Sequence, residues 1–441
     1  MKKLFTLLGF VLFSVVLVAQ RPSGTNVTTL WEKTFATDNL PDYIGTGSNC
    51  HAMTFGMMNG NPYLYVVTRE PGYLGTHILN PATGEEVGML INPSDELLDQ
   101  GSFAINAVEV DEDGVIFVSN MAYQAGKRLN VYMYKNHTAE PKLVYSGPPV
   151  AVASKPRLGD RFSITGKYSD GSAKLYFADY GLTIARPQSN LYVLKLVADP
   201  GAAGEYVCEL DGGAAKVIEV NPDPDCKNNN LALYLSVGSG YYWMSTTGGL
   251  YYNNGTTGSQ IYYNQFINRS TGISYVGEKN GRHYMAYYEW EPGIAYLVSY
   301  TLPETEGGAR IEAVTPGLLN PALMTQNAYG YGGVVVSWRG AHPIIYFLVY
   351  NYGIGAYEVS TIDTGIKALV ADQYAVKQNG SVLQVTGKED IQSIELVSLT
   401  GQLVAASRNS SEISAAVAKG VYLLTVKTAS GQRSVQKVLI N

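Results

Sequence analysis

Residues Pro62–Arg69 read PYLYVVTR, a strand-like run of aromatic and β-branched residues, and runs of the same character return along the chain. They stand at Gly114–Asn120 (GVIFVSN), Ala173–Asp179 (AKLYFAD), Leu231–Val237 (LALYLSV), Arg282–Tyr288 (RHYMAYY) and Pro343–Tyr350 (PIIYFLVY), beginning 52, 59, 58, 51 and 61 residues apart. Most are followed by a second β-rich run that reads as the next strand out, such as Gly75–Asn80 (GTHILN), Asn130–Tyr134 (NVYMY), Asn190–Leu196 (NLYVLKL) and Gly293–Tyr300 (GIAYLVSY). Between GTHILN and EEVGML, Pro81-Ala82-Thr83-Gly84 supplies the turn of an outer hairpin. Repeats of this length, each a small antiparallel sheet, predict an all-β chain built as a β-propeller of about six blades. Leu30–Ala36 (LWEKTFA) precedes the first unit and is placed to complete the last blade, which ends near Tyr357–Thr361, and so to remove the open edges. A pair of β-sandwiches would give equally regular strands and stays open as the alternative; no WD dipeptide or kelch signature decides between them.

Composition agrees with an all-β reading. Among 441 residues there are 34 Tyr against 11 Phe and 4 Trp, with 47 Gly to serve tight turns. Only 15% are charged, which excludes a disordered, charge-rich chain, and the net charge of -6 offers no basic footprint for nucleic acid. Lys2 and Lys3 lead into an apolar run from Leu4 to Val18, closed by Ala19 and the polar Gln20-Arg21-Pro22, which is the pattern of a signal peptide over residues 1–19. The run is too short to span a bilayer, and no later stretch reaches 18 uninterrupted apolar residues, so no transmembrane segment is expected in the mature chain. Export permits disulfides. Of the three cysteines, Cys208 and Cys226 flank Asp211-Gly212-Gly213 and form a candidate bridge, with three buried thiols as the alternative.

Near residue 370 the composition changes. Residues 374–441 hold two aromatics, Tyr374 and Tyr422, where residues 1–373 hold 47, and the tail carries seven Lys/Arg against four Asp/Glu where the rest carries 24 against 33. The body is therefore read as residues 20–373 and the tail, residues 374–441, as a separate module. Alternation and turn chemistry make it a small Ig-like β-sandwich with turns at Thr400-Gly401 and Ser430-Gly431. Its Ile394–Val404 (IELVSLTGQLV), the strand from Gly420 through Tyr422 to Val426, the Gly431-Gln432 turn and the terminal Lys437-Val438-Leu439-Ile440 resemble the type A sorting domain of the type IX secretion system of Bacteroidota. The resemblance covers about the last 68 residues. A Pro-Asn-Pro entry is lacking before Ser381, and the chain stops at Asn441 and not at a basic residue, which leaves the start of the domain open. It implies recognition by the secretion machinery, with Gly401, Gly420, Tyr422, Gly431 and Lys437 as the signal, and passage through the periplasm to the cell surface or beyond. The body loosely resembles uncharacterised secreted propeller-like proteins of the same bacteria, which implies no activity.

Signals for catalysis are sparse. Five histidines are scattered without an i, i+4 pair, and the chain has no GxSxG elbow, phosphate loop, CxxC pair or sialidase Asp box. Asp111-Glu112-Asp113-Gly114 and Asp223-Pro224-Asp225 offer oxygens for calcium but read more simply as a hairpin turn and a polar loop, and no metal or cofactor is expected. The remaining signal is aromatic. Tyr241, Tyr242 and Trp243, Tyr287, Tyr288 and Trp290, and Trp338 are candidate ligand-binding rings, because adjacent side chains on a strand cannot all face one core and Tyr and Trp suit stacking on sugars or partner surfaces. The competing reading is that these rings fill the space between blades. The expected function is therefore a secreted or surface binding protein for a glycan or protein ligand. The alternative is a carbohydrate-active enzyme using carboxylates in the central channel.

Overall fold

A computed structural model describes residues 26–45, 47, 49–151, 158–178, 188–213, 216–219, 234–235, 241–244, 249–253, 258–263, 272–279, 281–289, 293–300, 310–318, 332–340, 342–349, 352–360, 374–379, 381–387, 390–398, 403–414, 417–428 and 433–440. The chain is all-β, and it divides into two compact units, Met1–Ile362 and Asp363–Asn441.

The described residues of the first unit form six antiparallel sheets, in each of which at least three consecutive strands pair in chain order. In the first, Cys50–Met58 pairs with Asn61–Thr68, then Gly75–Leu79, then Glu86–Met89. The second runs Phe103–Val110, Ile116–Met121, Asn130–Tyr134, Lys142–Ser146. In the third, Phe162–Thr165, Lys174–Ala178 and Gln188–Ala198 precede Tyr206–Leu210, and Lys216–Glu219 pairs with the free half of the long Gln188–Ala198 strand. The fourth begins at Tyr234–Leu235 and ends at Gly258–Tyr263, and the fifth runs from Ile273–Lys279 through Arg282–Glu289 and Ile294–Tyr300 to Arg310–Val314. The sixth takes Gly332–Arg339, His342–Val349 and Gly353–Val359 from the end of the unit and its outer strand, Val27–Thr34, from the beginning.

The first strands of the six sheets lie side by side in a closed order: Cys50–Met58 adjoins Phe103–Val110, which adjoins Phe162–Thr165, and so on through Tyr234–Leu235, Ile273–Lys279 and Gly332–Arg339 back to Cys50–Met58. Glycines sit where these strands approach most closely. A Cβ on Gly56 would meet Val110 at 2.5 Å, and one on Gly333 would meet the Met53 backbone nitrogen at 2.9 Å, so neither position has room for a side chain.

The next strand outward in a sheet is buried on both faces. In His342–Val349, Ile345, Phe347 and Val349 pack with Tyr284, Tyr288 and Leu297 of the fifth sheet, while Ile344, Tyr346 and Leu348 pack with Leu64, Val66 and Leu79 of the first. In Asn61–Thr68 the same division sends Leu64 and Val66 toward the sixth sheet and Tyr65 and Val67 toward the second. In these two sheets the second strand is thus sandwiched between two neighbours, which is why these runs are apolar at consecutive positions and do not alternate. The recurring sequence runs are these second strands in five of the sheets, and the first strand only in the fourth. In those five, one further inner strand precedes the run, so the run is not the innermost one.

Closure rests on the ladder between Val27–Thr34 and Gly353–Val359, with Val27 opposite Val359 and Thr34 opposite Gly353. Across it the Tyr357 hydroxyl donates to Glu32 Oε1 at 2.7 Å, and the Trp31 indole N–H donates to the Pro81 carbonyl of the first sheet at 2.9 Å.

The described residues of the second unit form two sheets, Tyr374–Asn379 with Val382–Gly387 and Glu412–Ser414, and Leu403–Arg408 with Ile391–Ser398, Gly420–Thr428 and Arg433–Ile440. They share one core, in which Leu383, Val385 and Ile413 face Ile394, Leu396, Tyr422, Leu424, Val426, Val438 and Ile440. The alternation of Tyr422, Leu424 and Val426 onto one face is the one their spacing predicts.

Replacing Tyr357 by Phe removes a charge-assisted hydrogen bond from the closing ladder without changing the ring's volume. It should lower stability by about 1–2 kcal/mol, read as a lower urea midpoint at unchanged slope; an unchanged midpoint would show that the bond contributes nothing to closure.

Candidate functional site

Burial decides the fate of the aromatic candidates that the structure describes. Tyr287 and Tyr288 are both fully buried: Tyr287 stacks on Tyr296 with centroids 4.9 Å apart, and Tyr288 belongs to the core between the fifth and sixth sheets. Adjacent rings do point to opposite faces, Tyr288 into the core shared with the sixth sheet and Tyr287 against Tyr296, Val298 and Val314 of its own sheet, but both are fully buried, so these two rings have no surface to offer a ligand. Trp338 is part-buried, donates its indole N–H to the Val276 carbonyl at 3.0 Å and meets Tyr284 edge-on. Tyr241, Tyr242 and Trp243 lie on the second strand of the fourth sheet, and nothing further is described of their side chains; Trp290 lies outside the described residues.

The cavity lies elsewhere, among the inner strands. About 260 Å³ of space is bordered by five of them, those of the first, second, third, fifth and sixth sheets. Its walls mix hydroxyls (Thr54, Ser163, Ser274 and Tyr275) with the ring of Phe55 and two charged groups, Glu109 and Arg161. Strand geometry places them. Thr54 and Glu109 come from adjacent inner strands, and Thr54 Oγ1 donates to Glu109 Oε2 at 2.8 Å, joining the first sheet to the second. Arg161 stands immediately before the inner strand of the third sheet, and its Nη2 is buried without a hydrogen-bond partner. Phe55 is held by stacking on Tyr346, 5.8 Å between centroids, and the Tyr275 hydroxyl is hydrogen-bonded to His283 Nδ1 at 2.9 Å.

Glu109 is the chemically distinctive group. Its carboxyl keeps some accessible surface, but that surface opens into the cavity while protein surrounds the rest. Burial pushes its pKa up to about 7, outweighing the Thr54 hydrogen bond and the Arg161 charge that pull it down. Near neutrality such a group exchanges a proton readily, as general acid–base chemistry requires. Glycoside hydrolysis needs a second carboxylate, and among the described residues Glu109 is the only acid lining the cavity. Channel carboxylates are expected of an enzyme on this scaffold, but no local signal in the sequence singles out Glu109. Glu109 follows Ala107 and Val108 in FAINAVEV, where nothing but its place on an inner strand distinguishes it from an exposed strand carboxylate.

The acidic turn has a structural use. Asp111 accepts from the backbone N–H groups of Asp113 and Val115 through Oδ1, at 2.9 and 2.8 Å, and from that of Tyr168 through Oδ2 at 2.6 Å. Asp113 accepts from the Ser169 hydroxyl. The turn therefore clamps the second sheet to the third, and the Asp111 oxygens are already engaged by the protein. Among the described residues no group of three or more His, Cys, Asp or Glu stands close enough to hold a metal ion. Asp223, Asp225 and Cys226 lie outside the described residues; Cys208 is buried, which pushes its thiol up to about 12. In the second unit, Gly420 opens its strand, Tyr422 donates its hydroxyl to the Ala418 carbonyl at 2.8 Å, and Lys437 lies on the terminal strand, whereas Gly401 and Gly431 lie outside the described residues.

No family model matches the chain, and no curated protein matches it. Among solved structures it is similar in fold to a DUF4623 family protein from Bacteroides eggerthii, with a TM-score of 0.52 and 14% identity over 76% of each chain. That gives the body's resemblance to proteins of these bacteria a structural counterpart. Looser likenesses are the α-L-arabinofuranosidase Arb93A of Fusarium graminearum, at a TM-score of 0.46 and 10% identity over 78% of this chain and 100% of that one, and a GH43_1 enzyme of Xanthomonas citri, at 0.30 and 10% over 57% and 85%. Neither of these two bears on mechanism at such distance.

Because Glu109 sits near 7 when folded against an ordinary 4.5, the folded chain binds more protons than the unfolded one between those values, and stability falls as pH rises through that window. The decline attributable to this group should be about 1–3 kcal/mol, the lower figures reflecting its opening into the cavity. Urea unfolding from pH 4.5 to 8 should show it, and Glu109→Gln should flatten the slope; parallel curves for the two proteins would contradict the shift.

Proposed function

We propose that the first unit is a six-bladed β-propeller that binds a glycan in the cavity at its centre, and that the second unit is a type IX sorting domain of Ig-like sandwich form which carries the chain to the cell surface. The closed order of the six inner strands supports the propeller, with the N-terminal strand completing the last blade. The observation that carries the binding reading is the cavity itself. Hydroxyl groups, a carboxyl, a guanidinium and an aromatic ring converge from four of the inner strands, with Arg161 just ahead of one of them, on a space near the lower limit of small-molecule pockets, suited to one polar sugar residue and not to a protein surface. Rigid strands hold each group, so the site is formed before any ligand arrives.

Export rests on the two ends of the chain: the charged and apolar leader of residues 1–19, and the tail motif through Gly401, Gly420, Tyr422, Gly431 and Lys437. A glycosidase is the second reading, favoured by the pKa of Glu109 and dependent on a second carboxylate about 5–9.5 Å from it.

Two measurements test this function. On a glycan array the mature chain should bind, and Ser163→Phe, which fills the cavity from its wall, should abolish binding while leaving the thermal midpoint within a few degrees; binding unaffected by the plug would place the ligand elsewhere, and capture of a protein partner in its place would overturn the glycan reading. In the native host, deletion of residues 374–441 should leave a folded body in the periplasm, and undiminished surface display of the truncated chain would remove the sorting role.

A further inference from the structure

The two charged groups of the cavity differ in how well the protein satisfies them. Glu109 has the Thr54 hydroxyl at 2.8 Å. Arg161 keeps a buried Nη2 with no partner, and burying an unsatisfied donor of a charged group costs more than leaving it in water. Among the described lining residues no other acid stands in the cavity to neutralise the guanidinium, and the remaining polar groups are hydroxyls. A neutral sugar would bring only more hydroxyls. A carboxylate would bring two acceptor oxygens and the missing charge, in the planar geometry a guanidinium matches.

We propose that the ligand of this cavity is an acidic sugar, a uronic acid residue whose carboxylate is held by Arg161 and approached by Glu109. The inference rests on the glycan reading of the site and narrows it to one substrate class. The Glu109 carboxyl, which burial keeps partly protonated at neutral pH, then serves as a donor to the incoming carboxylate, and the two acids share one proton as like charges at close range must. The groups facing Glu109 from the packed elements are Thr54 from the first sheet and Arg161 from the third. Tyr275 from the fifth is the only other titratable lining residue described, and the sixth sheet contributes none. A ligand carboxylate placed among them raises the proton affinity of Glu109 further, so uronate binding draws a proton from solution and strengthens as pH falls.

Isothermal titration of the full mature chain decides the matter, with galacturonate and glucuronate as probes and galactose and glucose as their neutral counterparts. At pH 6 a uronate should bind at least tenfold more tightly than the matching hexose. Its affinity should fall several-fold by pH 8, and the heat should depend on the ionisation enthalpy of the buffer in the sense of proton uptake. Arg161→Gln should reduce uronate affinity tenfold or more. Equal binding of uronate and hexose by the unmodified protein would overturn the acidic-sugar inference while leaving the glycan reading standing; failure of all four sugars, and of every glycan on the array, would remove both. Because the comparison of uronate with hexose uses the unmodified chain, it holds even if the Arg161 variant does not fold.

Discussion

One antiparallel ladder joins the beginning of the first unit to its end. Val27–Thr34 hydrogen-bonds along Gly353–Val359, and the Tyr357–Glu32 bond links residues 325 apart in sequence. Without that strand Gly353–Val359 would lose its outer partner, and the first sheet would lose the Trp31 contact at Pro81. Everything toward the centre depends on it, because five inner strands can surround a cavity only while the circle of sheets is held shut.

Closure also explains the tyrosines. In a ring of sheets most positions on the middle strands are interior, whichever way the side chain points, and large side chains are wanted on both faces. Tyr284 and Tyr288 fill one side of the fifth sheet and Tyr287 with Tyr296 the other. Tyr offers the ring of Phe together with a hydroxyl that can meet a neighbour, as Tyr132 meets the Leu97 carbonyl and Tyr134 that of Ile91. An aromatic surplus in such a chain thus measures the packing between sheets before it measures any affinity for ligand.

The same physics sets what could be read from the sequence. The second strands announced themselves because double-sided burial makes them apolar at consecutive positions, as in Ile116–Val118 and Ile344–Val349. The inner strands did not, since their burial is uneven: Gly332–Arg339 begins GGVV, buried, and continues VSWR, part-buried to exposed. The closing strand was legible from its position and the alternation of the tail from its spacing. The cavity was not legible at all. Thr54, Glu109 and Arg161 occupy unrelated local contexts, and only the ring brings residues of three different sheets within reach of one another.

The closing ladder sets a timetable as well as a shape. Its first strand leaves the ribosome at once and its partner some 325 residues later, so the unit cannot finish folding until nearly all of its chain exists. Contacts of such long range are entropically slow to form, and until they do Gly353–Val359 keeps an unpaired edge. The last act of folding in this unit therefore waits until residues near both of its ends are present together.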